Sequence, residues 1–146
     1  MDCILSVPAE TAPTRLNVGR LEPLITNGMF CKKETAMKLT EKKCLPCEGG
    51  IPTLSPAEIS RLKAEISPGW EVVDNHHLIR TFYFVNFRHT FDFVRRLAEL
   101  AESEGHHPVI HIYFDKAVIE IWTHAIDGLS ENDFILASKT DLLLNG

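Results

Sequence analysis

The chain has no cysteine after Cys47 and no excess of basic residues. It also has no apolar stretch approaching the ~20 residues that a membrane-spanning helix needs. All four cysteines, Cys3, Cys31, Cys44 and Cys47, fall in the first third. That distribution argues against a disulfide-stapled fold and for a reducing compartment. The charge balance is 15 Lys and Arg against 20 acids, a net charge of -5. This gives no electrostatic footprint for nucleic acid, which favours a basic face. No HExxH and no Gly-x-Ser-x-Gly occurs. Cys44-Leu-Pro-Cys47 is a single CxxC with no second pair to complete a tetrahedral zinc set. It reads as structural or incidental, with half a metal site and a redox pair as the alternatives.

The 146 residues fit one domain, with 45% hydrophobic and 24% charged residues, an ordinary soluble composition. Residues 1–43 stand apart, with seven Lys and Arg against five acids and no sustained apolar period. They read as a disordered extension. A targeting segment is the alternative, weakened by Asp2, Glu10, Glu22, Glu34 and Glu41, because transit peptides are poor in acids. The expected location is the cytoplasm, or an organelle if that segment is a targeting signal. Residues 44–146 are expected to form the domain.

Within the domain, Ser55-Pro56-Ala57-Glu58 sets a serine cap, a proline at the first helical position and a glutamate three residues on. Ile59, Leu62 and Ile66 then repeat at helical spacing. Trp70 to Val73 and Leu78 to Phe84 read as two strands joined by a turn over Asp74-Asn75-His76-His77. In the second of them, Leu78, Arg80, Phe82 and Phe84 share one parity. Phe87 to Glu104 reads as an amphipathic helix ended by Gly105. Val109 to Phe114 and Ala117 to Thr123 form a second hairpin about Asp115-Lys116. Ser130-Glu-Asn-Asp133 is a capping box that opens a last helix. The order αββαββα predicts an α+β two-layer sandwich: a four-stranded antiparallel sheet with three helices on one face.

The residues that carry chemistry gather at the junctions of these elements. Glu102, His106, His107 and Pro108 end the long helix, Thr123-His124 end the last strand, and Asp133 opens the last helix. Imidazole, with an unperturbed pKa of ~6.5, gives or takes a proton near neutral pH. A helix C-terminus favours a nearby cation. Glu102 lies four residues before His106, so both features favour a proton-donating His106 if the helix persists. If the strand end abuts the helix end, His124 faces the His-His pair across a cleft. Such a set suits a dehydration, which needs an acid at the leaving oxygen and a base at the departing proton. Each residue also has a plainer reading: Asp133 as a helix-dipole partner, Glu102 as a solvated helix residue. His76, His77, His89 and His111 read as surface or structural histidines. Zinc is disfavoured because adjacent histidines seldom reach one metal.

At these residues the chain resembles the pterin-4a-carbinolamine dehydratase family, over roughly residues 44–144. The resemblance is carried by Glu102-x-x-x-His106-His107-Pro108, Thr123-His124, and Gly128-Leu-Ser-x-x-Asp133 with Ile135-Leu-Ala137. It implies a cofactor-independent dehydratase converting 4a-hydroxytetrahydropterin to quinonoid dihydropterin after an aromatic amino acid hydroxylase has acted. By similarity, His106 is the principal acid/base group, His124 the second, and His107 orients the pterin. Glu102 supports His106, and Asp133 and Thr123 join the polar pocket. A homodimer or homotetramer is implied, with no metal. Gly105 stands where many animal members carry an acid, and Val109-Ile110 where they carry an acid and a tryptophan. These differences bear on pocket shape. The competing reading is a non-catalytic dimerisation or assembly protein on the same fold.

Overall fold

The computed structural model describes residues 37–46 and 52–145. The reading of residues 1–36 as an extension, and the second half of the CxxC at Cys47, lie outside the described residues.

Three helices and four strands follow in the expected order: α1 (Pro56–Lys63), β1 (Glu71–Val73), β2 (His77–Tyr83), α2 (Phe87–Glu104), β3 (Val109–Ile112), β4 (Lys116–Ile121) and α3 (Glu131–Leu142). All strand pairs are antiparallel, in the spatial order β1-β2-β4-β3. The two hairpins therefore join through β2 and β4, with Leu78 opposite Ile121 and Phe82 opposite Ala117. This register puts Leu78, Phe82, Ala117, Ile119 and Ile121 on one face, all buried against the helices. Pleating turns the alternate residues, Ile79, Thr81, Val118 and Glu120, to the other face.

Arg80 falls among the apolar residues of the helix-covered face, and the fold supplies it with partners. Its guanidinium bonds Asp141 of α3 and lies 4.5 Å from the Phe82 ring centroid. Asp141 also accepts from the Trp70 indole N–H at 3.0 Å and the Ser67 amide at 3.2 Å. The β3–β4 turn is longer than the sequence suggests. Tyr113 and Phe114 leave the strand, because the Tyr113 amide closes the turn onto the Lys116 carbonyl and the Phe114 carbonyl accepts from the Thr90 hydroxyl.

α3 is buried on almost every side, from Asn132 through Ser138 and again at Thr140. A helix so enclosed needs cover beyond the sheet. The cover comes from residues 37–46, part of which composition had assigned to the extension. Leu39, in a 3-10 turn at Leu39–Glu41, joins the core with 3% exposure. Cys44 is also buried, its thiol 3.6 Å from the Asn132 carbonyl. The Asn132 side chain bonds both backbone groups of Leu45, and Lys42 pairs with Glu131 at 2.6 Å. The packed body thus begins before Cys44.

Glu104, the last residue of α2, anchors this segment. Its carboxylate takes the Lys139 ammonium at 2.6 Å and the Cys44 amide at 3.0 Å. Burial pushes the carboxyl up, but the bonds from Lys139 and Cys44 outweigh it, and the group sits below its ordinary 4.5. A depressed carboxylate stabilises the fold above its unfolded pKa, and the contribution fades as pH falls through the folded value. Glu104→Gln is expected to cost about 1–2 kcal/mol at pH 7, since it removes the charge that pairs a largely covered lysine. Urea titrations should show the gap between wild type and variant narrowing below pH 4.5. An equal gap at pH 7 and pH 3.5 would refute the assignment.

Candidate active site

The register brings four chain segments to one end of the sheet. Val109 pairs with Glu120 and Leu78 with Ile121, so the start of β3, the end of β4 and the start of β2 are neighbours. The N-terminus of α3 joins them through Asp133.

α2 stops at Glu104, and Gly105 takes the left-handed conformation, φ 64. Its amide and that of His106 turn back onto the carbonyls of the last helical turn, with His106 N–H to Ala101 O at 3.2 Å. This is a Schellman-type close, and the positive φ is the reason for glycine here. The reversal sends His106 inward, to 5% exposure, while His107 stays outside. His106 Nε2 lies 2.7 Å from Asp133 Oδ1. His107 Nε2 lies 3.0 Å from Glu102 Oε1. The sequence had paired Glu102 with His106. The structure gives it to His107, because the helix ends before the i, i+4 geometry can reach His106.

Asp133 is wholly buried. Its Oδ2 accepts from the Ser130 amide at 2.6 Å, the Thr123 hydroxyl at 2.9 Å and the Ser130 hydroxyl at 3.1 Å. The two hydroxyls are themselves 2.8 Å apart, and they have two protons for three contacts, so one of those contacts is unprotonated. An ionised carboxylate only accepts, so His106 must donate from Nε2. Asp133 does not itself line the cleft that His106 lines, where the resemblance placed it in the polar pocket; it adjoins that cleft through His106. The capping box and the histidine contact coexist in Asp133, since one oxygen serves the helix and the other the histidine.

His106, His107 and His124 line one cleft of about 240 Å³, together with Gly105, Trp122, Thr123 and Ala125. That is below the roughly 300–1,000 Å³ of sites for drug-sized ligands and suits a small one. A larger surface groove on α2, about 500 Å³, is lined by Phe84, His89, Asp92, Arg95, Arg96 and Leu144, and holds one histidine. His124 is exposed and opens a 3-10 turn at His124–Ile126. Among the described residues no group of three or more His, Cys, Asp and Glu is placed to hold a metal, and no helix is long and apolar enough to cross a membrane.

Trp122 was missed as a site residue. The signal available was a bulky aromatic one step before Thr123-His124, on the parity that points away from the helices. Of the four histidines set aside, His89 bonds its own helix cap at Asn86 and His111 bonds its cross-strand neighbour Glu120. His76 and His77 are different: both pack beside Trp122.

The molecule is thus an α+β sandwich with an imidazole-lined cleft beside a buried histidine–aspartate couple. Its sequence profile over residues 52–143 matches the pterin 4 alpha carbinolamine dehydratase family, and the chain belongs to that family. A protein of Rubrobacter xylanophilus, provisionally named a pterin-4-alpha-carbinolamine dehydratase, is 53% identical over 106 residues, 73% of this chain and 98% of that one. A provisionally named counterpart from Rickettsia bellii is 48% identical over 107 residues, 73% of this chain and 95% of that one. Among solved structures, a transcriptional coactivator/pterin dehydratase from Brucella melitensis superposes with a TM-score of 0.59 at 27% identity, covering 62% of this chain and 97% of its own.

Proposed function

We propose that the protein is a hydro-lyase that converts 4a-hydroxytetrahydropterin to quinonoid dihydropterin and water, in the recycling that follows an aromatic amino acid hydroxylase. The observation that carries this reading is the three-imidazole cleft with His106 coupled to buried Asp133. In the reaction, the C–O bond at ring carbon 4a breaks and the hydroxyl leaves as water with a donated proton. The neighbouring ring nitrogen gives up its proton, and its electrons close the C=N bond. One histidine must donate and another accept. His106 fits the principal role, because the Asp133 carboxylate keeps its charge paired as the ring gains or loses a proton. His124 fits the second. His107, tethered to Glu102, orients the heterocycle, and the indole of Trp122 offers it a flat apolar surface.

The test is dehydration of 4a-hydroxytetrahydropterin followed by absorbance, with purified protein and with a chelator present. Acceleration over buffer that survives the chelator is expected. A folded protein that leaves the rate at the buffer value would overturn the reading.

Self-association as a homodimer or homotetramer is supported by the exposed apolar side chains near the β3 edge and the start of α2, Ile112, Tyr113, Phe114, Phe87 and Phe91. Light scattering on the purified protein checks it, and a monomer at tens of micromolar would refute it.

A further inference from the structure

Trp122 has neighbours that the dehydration chemistry above does not use. On the cleft it meets His124 edge-on, with centroids 4.5 Å apart and an interplanar angle of 73°. On the β2 side, away from His106 and His107, stand His76 and His77, each ring centroid 6.0 Å from that of Trp122. Five histidines therefore collect at this end of the sheet, and Trp122 separates one pair from the other.

The β1–β2 turn sets the second pair. Asp74 and Asn75 both take left-handed backbone, φ 51 and 54, and the His76 amide closes the turn onto the Val73 carbonyl at 2.8 Å. These two left-handed residues reverse the chain within a three-residue loop. His77 then enters β2 opposite Val73, on the face the helices leave uncovered.

The two rings address each other through Nδ1, at 3.1 Å. Their centroids are 5.4 Å apart, longer than the nitrogen separation by about the two ring radii, so the nitrogens lie near the line joining the rings. Two N–H groups repel in that arrangement, and so do two lone pairs. One ring donates and the other accepts, and a single proton occupies the contact. The other nitrogen of His76, Nε2, lies 3.1 Å from Asp127 Oδ1. Facing a carboxylate, Nε2 carries a proton. In neutral His76 the acceptor is then Nδ1, and His77 donates to it. The result is a directed chain, His77 to His76 to Asp127.

Asp127 in turn ends the short turn that begins at His124. It takes φ 49, and its amide bonds the His124 carbonyl at 3.3 Å. Aspartate tolerates this left-handed backbone, and its exposed carboxylate has His76 as side-chain partner, which ties the turn to the β1–β2 loop.

We infer that His76 and His77 are positioning residues: they brace Trp122 from behind and, through Asp127, fix the turn that carries His124. The inference rests on the dehydratase reading of the cleft. Neither histidine lines the cleft itself, and both reach it only through Trp122 and the His124 turn. The brace acts on rate by keeping His124 and the Trp122 ring in one arrangement.

Steady-state kinetics and tryptophan emission on the full chain test it with His76→Ala, His77→Leu and His77→Asn. A one-ångström misplacement of a catalytic group can cost about a hundredfold, so a loosened turn is expected to lower kcat about tenfold in His76→Ala with KM within about twofold. His77→Leu is expected to fall the same way. His77→Asn keeps an N–H near the Nδ1 position and should recover most of the loss. The only tryptophans are Trp70, 1% exposed in the core, and Trp122. The emission removed by Trp122→Phe therefore isolates Trp122, and it should shift in His76→Ala while the Trp70 signal does not. An unchanged kcat in His76→Ala, or His77→Asn as impaired as His77→Leu, would overturn the brace. An inactive wild type would overturn the dehydratase reading instead, and Trp122 emission then decides: a shift in His76→Ala supports the brace and no shift refutes it.

Discussion

His124→Ala is expected to lower the dehydration rate by about 10²–10⁴-fold, the range a positioned general acid or base contributes. Because His124 is exposed at the start of a short turn, its removal should change stability by no more than about 0.5 kcal/mol. The loss would then be chemical. His106→Ala is expected to lose at least as much rate, with a second signature. It opens a hole beside a wholly buried carboxylate and leaves Asp133 Oδ1 without its histidine. An orphaned buried acceptor costs about 1–3 kcal/mol, and more when charged, so this variant should unfold at markedly lower urea. The double variant should fall little further in rate than the worse single one, because groups that act as a unit are not additive. Two single variants that each retain more than a third of the wild-type rate would remove the histidines from the chemistry. Absorbance assays with urea melts on the same preparations separate the two effects.

Asp133→Ala carries the largest expected loss of stability, about 3–5 kcal/mol, the range for breaking a buried charged pair by deleting one partner. Four contacts disappear together: the His106 ring, the Ser130 amide, and the hydroxyls of Thr123 and Ser130. The same change also removes the Asp133 half of the capping box at the N-terminus of α3, leaving Ser130 as the cap. Asp133→Asn is the more informative variant. Its amide must turn its NH₂ either to the Ser130 N–H, where two donors clash, or to His106 Nε2, which must then accept. The second choice moves the ring proton to Nδ1 and spoils the tautomer the site uses. The asparagine variant is therefore expected to keep most of the stability while the rate falls about a hundredfold or more, as when an asparagine replaces the orienting aspartate of a serine-protease triad. Chemical denaturation and the dehydration assay on one sample check both halves. Asp133→Asn with near-wild-type turnover would show that the carboxylate serves only the helix.

Much of this arrangement could be read from the chain alone. The period of two in Val118, Glu120 and Trp122, the capping boxes at Ser55 and Ser130, and Gly105 after a long amphipathic run are local signals. Local signals survive folding when the fold does not need to contradict them. The clustering of His106, His107, His124 and Asp133 was legible for the same reason: they sit at element ends, where a polar cluster has no packing role to hide in. The pairing within the cluster was not legible. Helical spacing joined Glu102 to His106, but the left-handed Gly105 turned His106 toward Asp133, 27 residues away. Arg80 looked like a flaw in an apolar face until Asp141, 61 residues on, came to meet it. Residues 37–43 looked like part of an extension because a single buried leucine in a polar stretch leaves no period to detect.

Element order, the two-layer architecture and the set of residues able to move a proton were already written in the chain. They follow from hydrophobic period, caps and side-chain chemistry, which act within a few residues. Folding alone assigned each carboxylate to its histidine, brought Trp122 to the cleft, and set His76 and His77 behind it. These depend on strand order and register. β1-β2-β4-β3 brings the starts of β2 and β3 to the end of β4, and contacts between chain segments that distant are set by how the sheet closes, not by any spacing along the chain.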